Sequence, residues 1–228
     1  MVNLRTARIV VTGRTQTGKT SLVRCSLLGM LGSYIIYDPD YQFTGYGYQV
    51  DIVPDLIEAI RKGERQIIFQ VRDVLMRGDM WDGRREEFEM LCQVVNRLKN
   101  VTLIIDEVAE VTRRPGTKAA TMPPTLGLII RRRMKAPHNI GVIVTTQRMK
   151  DADVDFLTQA QLTYTFQQNA SDAKYVAEKL GIDTKEMREV IMSLPDYNFL
   201  KYNHKNGDIS RGDFGWVDPP TNGQLKHI

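Results

Sequence analysis

The chain has 228 residues, with 31 Lys and Arg against 27 Asp and Glu, a formal net charge of +4 and a hydrophobic fraction of 42%. That length is enough to bury a full core in one domain, and that composition excludes the disordered and collagen-like classes. Its two cysteines, Cys25 and Cys92, are far apart, so neither a disulfide framework nor a thiolate metal site is expected; both are read as core thiols of a protein that stays in the reducing cytoplasm. The longest apolar runs, at 101–105 and 140–144, fall far short of the ~20 residues that a membrane helix needs. Residues 1–13 lack the pattern of a secretory signal.

The first β-branched run, ARIVVT at 7–12, predicts a strand that leads straight into GRTQTGKT at 13–20, with a helix predicted over 19–30. Gly13, Gly18, Lys19 and Thr20 complete the pattern G-x-x-x-x-G-K-[ST], in the strand-then-helix context that makes it a phosphate loop. Glycines let backbone N–H groups curl around an anion, and the helix N-terminus adds a favourable field. The stretch Gly13, Arg14, Thr15, Gln16, Thr17, Gly18, Lys19, Thr20 and Ser21 is therefore assigned to nucleotide binding. Lys19 is to reach the β and γ phosphates, and the Thr20 hydroxyl is to hold Mg²⁺.

A second strand, YIIYD at 34–38, is followed by a helix over 54–63 and a third strand, QIIFQV at 66–71. MRGDMWDGRR at 76–85 reads as a long loop ahead of a helix over 85–100. The fourth strand, VTLIID at 101–106, ends in Asp106 and Glu107. A carboxylate at such a strand end binds Mg²⁺, partly through water, and its neighbour orients or deprotonates the attacking water. Asp106 takes the first role and Glu107 the second. The long loop RRPGTKAATMPP at 113–124 precedes a fifth strand, IGVIVTT at 140–146, which delivers Thr145, Thr146, Gln147 and Arg148 to its carboxyl end. In an open α/β sheet ligands bind at that end, where the Gln147 amide can touch both the γ phosphate and the attacking water.

The last predicted core elements are a strand, LTYTF at 162–166, and a helix over 171–181, with Ser171 as N-cap and Gly181 at its close. Asn206-Gly207 between two strand-like runs in 198–214 predicts a terminal hairpin. The fold class is α/β: a mainly parallel, doubly wound sheet of the P-loop NTPase kind, with flanking helices and a C-terminal β-hairpin. His138, His204 and His227 show no ligand spacing, so no metal beyond Mg²⁺ is expected.

GRTQTGKT, YDPDYQF, VTLIIDE, VIVTTQR and the run FLTQAQLTYTFQQNASDAKYVAEKLG together resemble the FtsK/HerA superfamily of DNA-pumping ATPases, over about 7–181 and more loosely through the hairpin. Two departures stand out: Met149 replaces the proline that often follows T-Q-R, and Asp38-Pro39-Asp40-Tyr41-Gln42 replaces D-P-x-G-E, which leaves Asp38 without an assigned role. The compact size resembles the genome-packaging ATPases of tailless icosahedral viruses with internal membranes. The resemblance implies one ATPase domain over 1–228, with a core at 7–181 and an extension with the hairpin at 182–228. It further implies ATP and Mg²⁺ as cofactors, a homo-hexameric ring around double-stranded DNA, a capsid or vertex protein as partner, and work in the host cytoplasm at the packaging vertex.

A trans-acting arginine is also implied: Arg133 is the first candidate and Arg132 the second. Arg113, Arg114 and Lys118 are the candidates for DNA contact, with Arg77, Arg84 and Arg85 as the basic residues of other loops. Trp81, Tyr41, Tyr46 and Tyr48 are read as packing residues rather than as base-stacking ones. The alternatives are a HerA-like translocase of a cell or mobile element, a phage morphogenesis or secretion motor, and a small-molecule kinase. The kinase needs to keep water out of its site, which Glu107 argues against.

Overall fold

The structure, a computed structural model, describes residues 2–71, 80–112 and 121–213. Its strands in chain order are β1 (Arg8–Thr12), β2 (Tyr34–Tyr37), β3 (Tyr48–Val50), β4 (Gln66–Phe69), β5 (Thr102–Ile105), β6 (Gly141–Thr146), β7 (Leu162–Thr165), β8 (Asn198–Asn203) and β9 (Ile209–Asp213). All belong to one sheet in the order β3-β4-β2-β5-β6-β1-β7-β8-β9, parallel from β3 to β7 and antiparallel from there to β9. The helices are α1 (Lys19–Leu22), α2 (Val53–Arg61), α3 (Met80–Val95), α4 (Ala109–Thr112), α5 (Pro124–Arg132), α6 (Asp155–Thr158), α7 (Ala170–Leu180) and α8 (Lys185–Met192).

Side chains alternate between the faces of a strand, so the central strands feed two cores. Val10, Ile35, Tyr37, Phe69, Leu103, Ile105, Val142 and Val144 meet the buried stripes of α2, α3, α5 and α7 on one face. Ile9, Val11, Ile36, Ile68, Ile104 and Ile143 meet Leu22, Val23, Leu27 and Leu28 on the other. Burial on both faces explains why β5 and β6 are apolar without alternation, and it confirms the α/β, doubly wound reading.

Several local expectations change. The helix expected over 85–100 is α3, which starts and ends earlier, so the last residues of the expected loop 76–85 are helical. Gly83 weakens the local helix signal by about 1 kcal/mol. The buried side chains of Phe88, Leu91 and Val95, each 0% exposed and worth about 1.5–3 kcal/mol, outweigh that cost. The helix expected over 19–30 divides into α1, a π-helical turn at Val23–Leu27 and a 3-10 turn at Leu28–Met30. The N-cap of α7 is Asn169, whose Oδ1 accepts from the Asp172 N–H at 2.9 Å; Ser171 donates its hydroxyl to that same oxygen. Gly181, in the left-handed region at φ 70°, closes the helix as expected. The hairpin is β8 and β9, with Gly207 at φ 76°. β3, a short edge strand, was not foreseen.

Cys92 is buried but Cys25 is exposed, contrary to its reading as a core thiol. Tyr46 packs edge-on against Phe43, whereas Tyr41 and Tyr48 are 53% and 46% exposed and lie outside the core. The side chain of Trp81 lies outside the described residues, as do Arg77, Arg113, Arg114 and Lys118. No helix among the described residues is long and apolar enough to cross a membrane.

Candidate active site

β1 lies between β6 and β7, and the loop that leaves it lines, with the carboxyl ends of β5 and β6, a cleft of about 390 Å³. The loop leaving β1 is fixed from both sides. Gly13 N–H donates to the Thr146 carbonyl at 3.3 Å, and Arg14 N–H donates to the Gln167 carbonyl at 2.9 Å. A Cβ on Gly13 would sit 2.5 Å from Cβ of Phe166, so the chain has room only for glycine there. Gly18 (φ 110°) and Gln16 (φ 64°) take left-handed conformations, which turn successive backbone N–H groups inward as an anion nest. Lys19 opens α1, its ammonium bonded to the carbonyls of Gly13 at 2.8 Å and Arg14 at 2.9 Å.

Asp106 and Glu107 stand across the cleft. Thr145 donates its hydroxyl to Oδ1 of Asp106 at 2.7 Å. Glu107 adopts φ 50°, a costly conformation for a residue with a side chain, and this turns its carboxylate back onto the end of β6. There Oε1 accepts from the Thr146 hydroxyl at 3.0 Å and Oε2 from the Gln147 N–H at 2.9 Å. The side chain of Gln147 in turn accepts from the Thr15 hydroxyl of the loop at 3.0 Å. One chain of hydrogen bonds therefore joins the ends of β5 and β6 to the glycine loop.

Burial governs the charges here. It pushes the Asp106 carboxyl up to about 6, against the Thr145 hydrogen bond and the Lys19 ammonium. It pushes Glu107 up to about 7, against the Thr146 hydrogen bond, Lys19 and the Gln147 N–H. Burial lowers Lys19, opposed by Glu107 and Asp106. A carboxyl held above its unfolded value of about 4 stabilises the fold when protonated. That contribution is complete below about pH 4 and is lost as pH rises through 6 and 7. For nucleotide-free protein we expect the melting temperature to fall between pH 5 and 8, and to fall less in Asp106→Asn, which removes on the order of 2 kcal/mol of this dependence. Parallel melting curves for the two proteins would refute the assignment.

The donors facing the cleft near Asp106 and Thr20 are oxygens, and among the described residues no group of three His, Cys, Asp or Glu gathers anywhere. That set fits Mg²⁺, which is held by one or two protein oxygens together with substrate phosphates and water, better than it fits a metal caged by protein alone.

Four residues in the cleft escaped sequence reasoning: Arg24, Asp40, Gln42 and Tyr197. Arg24 follows Thr20 by one helical turn, a spacing that could have identified it, and its guanidinium lies 5.3 Å from the centre of the Phe43 ring. Asp40 and Gln42 come from the turn that Asp38 organises. Fully buried, Asp38 accepts from the N–H groups of Gln42 (2.7 Å) and Phe43 (2.9 Å) and from the Gln70 amide (2.9 Å). Tyr197 arrives from the C-terminal extension, where its N–H donates to the Thr17 carbonyl at 2.9 Å.

Arg132 and Arg133 do not line this cleft; they precede β6, toward the opposite, amino end of the parallel strands. Arg133 donates Nε to Asn96 Oδ1 at 2.8 Å and contacts His138, whereas Arg132 is exposed. Arg84 pairs with Glu110 at 3.1 Å.

No family model matches the sequence, and no curated protein matches it. Solved structures do share the fold. The genome packaging NTPase B204 from Sulfolobus turreted icosahedral virus 2, in complex with AMPPCP, superposes with a TM-score of 0.67 at 19% identity, covering 93% of this chain and 100% of that one. B204 of Sulfolobus turreted icosahedral virus, a DNA-packaging ATPase, gives 0.62 at 21% identity over 90% and 96% of the two chains. VirB4 of Thermoanaerobacter pseudethanolicus gives 0.59 at 10% identity over 93% and 90%. The fold is thus that of the P-loop NTPases, with the glycine loop and the carboxylate pair at the strand ends where such a sheet binds its ligand.

Proposed function

We propose that this chain is a Mg²⁺-dependent ATPase of the FtsK/HerA type that moves double-stranded DNA, and that the work it does is to package a viral genome. The observation that carries the proposal is the bond network of Glu107. Its carboxylate accepts from the Gln147 N–H, and the Gln147 side chain accepts from Thr15 of the glycine loop, so base, sensor and phosphate loop are linked. Lys19 leaves the Gly13 and Arg14 carbonyls for the phosphates. Thr20 and Asp106 would hold Mg²⁺, which neutralises charge on the phosphate oxygens. Glu107, in its ionised form, accepts the proton of the attacking water. Loss of the γ phosphate returns the Gln147 side chain to Thr15, and the strand end passes that change outward. The fold likeness to the two viral B204 proteins supports packaging as the use of such a motor.

The trans arginine belongs to the same reading, with Arg133 first and Arg132 second, because neither reaches its own cleft. A neighbour in a homo-hexameric ring would bring such a residue to the γ phosphate, where a guanidinium is worth about 10³-fold or more in rate. We expect Arg133→Ala to lose that factor and mixing it with Glu107→Gln subunits to restore part of it, since some interfaces then carry both intact groups. If only Arg132→Ala loses turnover, the role moves to Arg132; full turnover in both removes the arginine finger from this stretch. Arg113, Arg114 and Lys118 remain the proposed DNA contacts, and a capsid or vertex protein the proposed anchor. Phosphate release measured against protein concentration, with and without duplex DNA, tests the whole: the rate should rise with assembly and with DNA, and a small-molecule acceptor should not be required.

A further inference from the structure

A cavity larger than the nucleotide cleft lies, among the described residues, at the other end of the sheet, about 20 Å away along β6. It is an open basin of about 710 Å³, built from residues within three positions of a strand start: Arg5 before β1, Ser33 before β2, Arg65 before β4, Asn100 before β5 and Asn139 before β6. Close packing of the backbone sets its floor. Thr102 N–H donates to the Ser33 carbonyl at 3.0 Å, Tyr34 N–H donates to the Arg65 carbonyl at 2.8 Å, and a Cβ on Gly141 would lie 2.6 Å from the Arg5 carbonyl oxygen. Arg5 is steadied by a 3.4 Å bond from Nε to the Met30 carbonyl, and the amides of Asn139 and Asn100 bond each other at 2.9 Å.

The chemistry of the lining is one-sided. Arg5, Arg65 and Lys99 project cations, the remaining lining residues are neutral, and no carboxylate is among them. None of the three cations is in an ion pair among the described residues, whereas Lys62, Arg84, Arg148, Lys174 and Arg188 elsewhere on the surface all are. Guanidinium forks and an ammonium around a hollow rich in neutral donors match phosphate oxygens, which accept bidentate bonds from arginine. No aromatic platform lines the basin, so a base would gain little there. We propose that this basin is a second phosphate site, distinct from the ATP cleft, and that its ligand is the phosphate backbone of duplex DNA. That choice of source rests on the DNA-motor reading above; the phosphate chemistry does not.

Both Arg65 and Lys99 are exposed, so Arg65→Gln and Lys99→Gln leave the core intact. The test is duplex affinity, read by anisotropy of a labelled DNA across a salt series, for the full chain and the double variant. Each lost phosphate contact removes about 0.9 from the slope of log K against log salt, so the double variant should be shallower by about 1.8 and at least about tenfold weaker at low salt. DNA-free ATPase should be unchanged. Unaltered affinity and slope overturn the basin while leaving DNA binding by the chain established. Inorganic tripolyphosphate, added with the ATP cleft saturated by a slowly hydrolysed ATP analogue, is the second arm. If it binds the parent chain and is lost in the double variant while duplex DNA binds neither, the phosphate site stands and both the DNA source and the motor reading fall.

Discussion

Glu107→Gln is expected to keep nucleotide binding and to lower hydrolysis by about 10² to 10⁴-fold, the range that general-base catalysis contributes. The geometry makes this a clean substitution. The Gln carbonyl can still accept from the Gln147 N–H, and its amide can donate to the Thr146 hydroxyl, which now serves as acceptor. The network that joins β5 to β6 therefore survives, and what disappears is the capacity to take a proton from water. Glu107 is also the group that burial pushes highest among the carboxyls of the cleft, up to about 7, so in the wild type the nucleotide-free base is partly neutral near that pH. Hydrolysis by the wild type should then rise with pH through the neutral range. The comparison to make is single-turnover hydrolysis beside equilibrium binding of a fluorescent ATP analogue. Wild-type turnover in the variant would remove Glu107 as the base.

Lys19→Ala is expected to cost at least about tenfold in nucleotide affinity and about 10² to 10³ in rate, the scale for removing one preorganised charge stabiliser. Without nucleotide, Lys19 is a buried cation between two carbonyls, and it holds Asp106 and Glu107 lower than burial alone would leave them. Its removal should therefore do two things at once: weaken phosphate binding and raise both carboxyls further, moving the pH dependence of stability to higher pH. A binding defect with no change in that dependence would mean that Lys19 does not counter their charge.

The glycine loop, Asp106-Glu107 and Thr146-Gln147 were legible because each is a short motif at the end of a buried apolar strand. Such strands announce themselves through unbroken β-branched runs, and their carboxyl ends are where an open parallel sheet places its ligands. Residues that meet only in the folded chain were not legible. Tyr197 lies far from the loop in sequence and reaches Thr17 through the return of β8 beside β7. Asp38 was left without a role because Tyr41 and Gln42 depart from the resembled motif, and it proves to be the buried acceptor that shapes the turn carrying Asp40 and Gln42. The start of α3 was hidden by Gly83, whose local cost is smaller than the gain from burying Phe88 and its neighbours. β3 was missed because three residues on an exposed edge give too short an alternation to read. The phosphate basin had no motif at all, since its cations come from turns that only the strand order β4-β2-β5-β6-β1 brings side by side.

Moving DNA is a stronger claim than hydrolysing ATP, and displacement of a third strand from a duplex measures it directly. With ATP and Mg²⁺, the assembled chain should strip a labelled triplex-forming strand from a long duplex, and it should fail to do so with a slowly hydrolysed ATP analogue or with Glu107→Gln. Brisk ATP turnover in the presence of that duplex, with the third strand left in place, would contradict the motor.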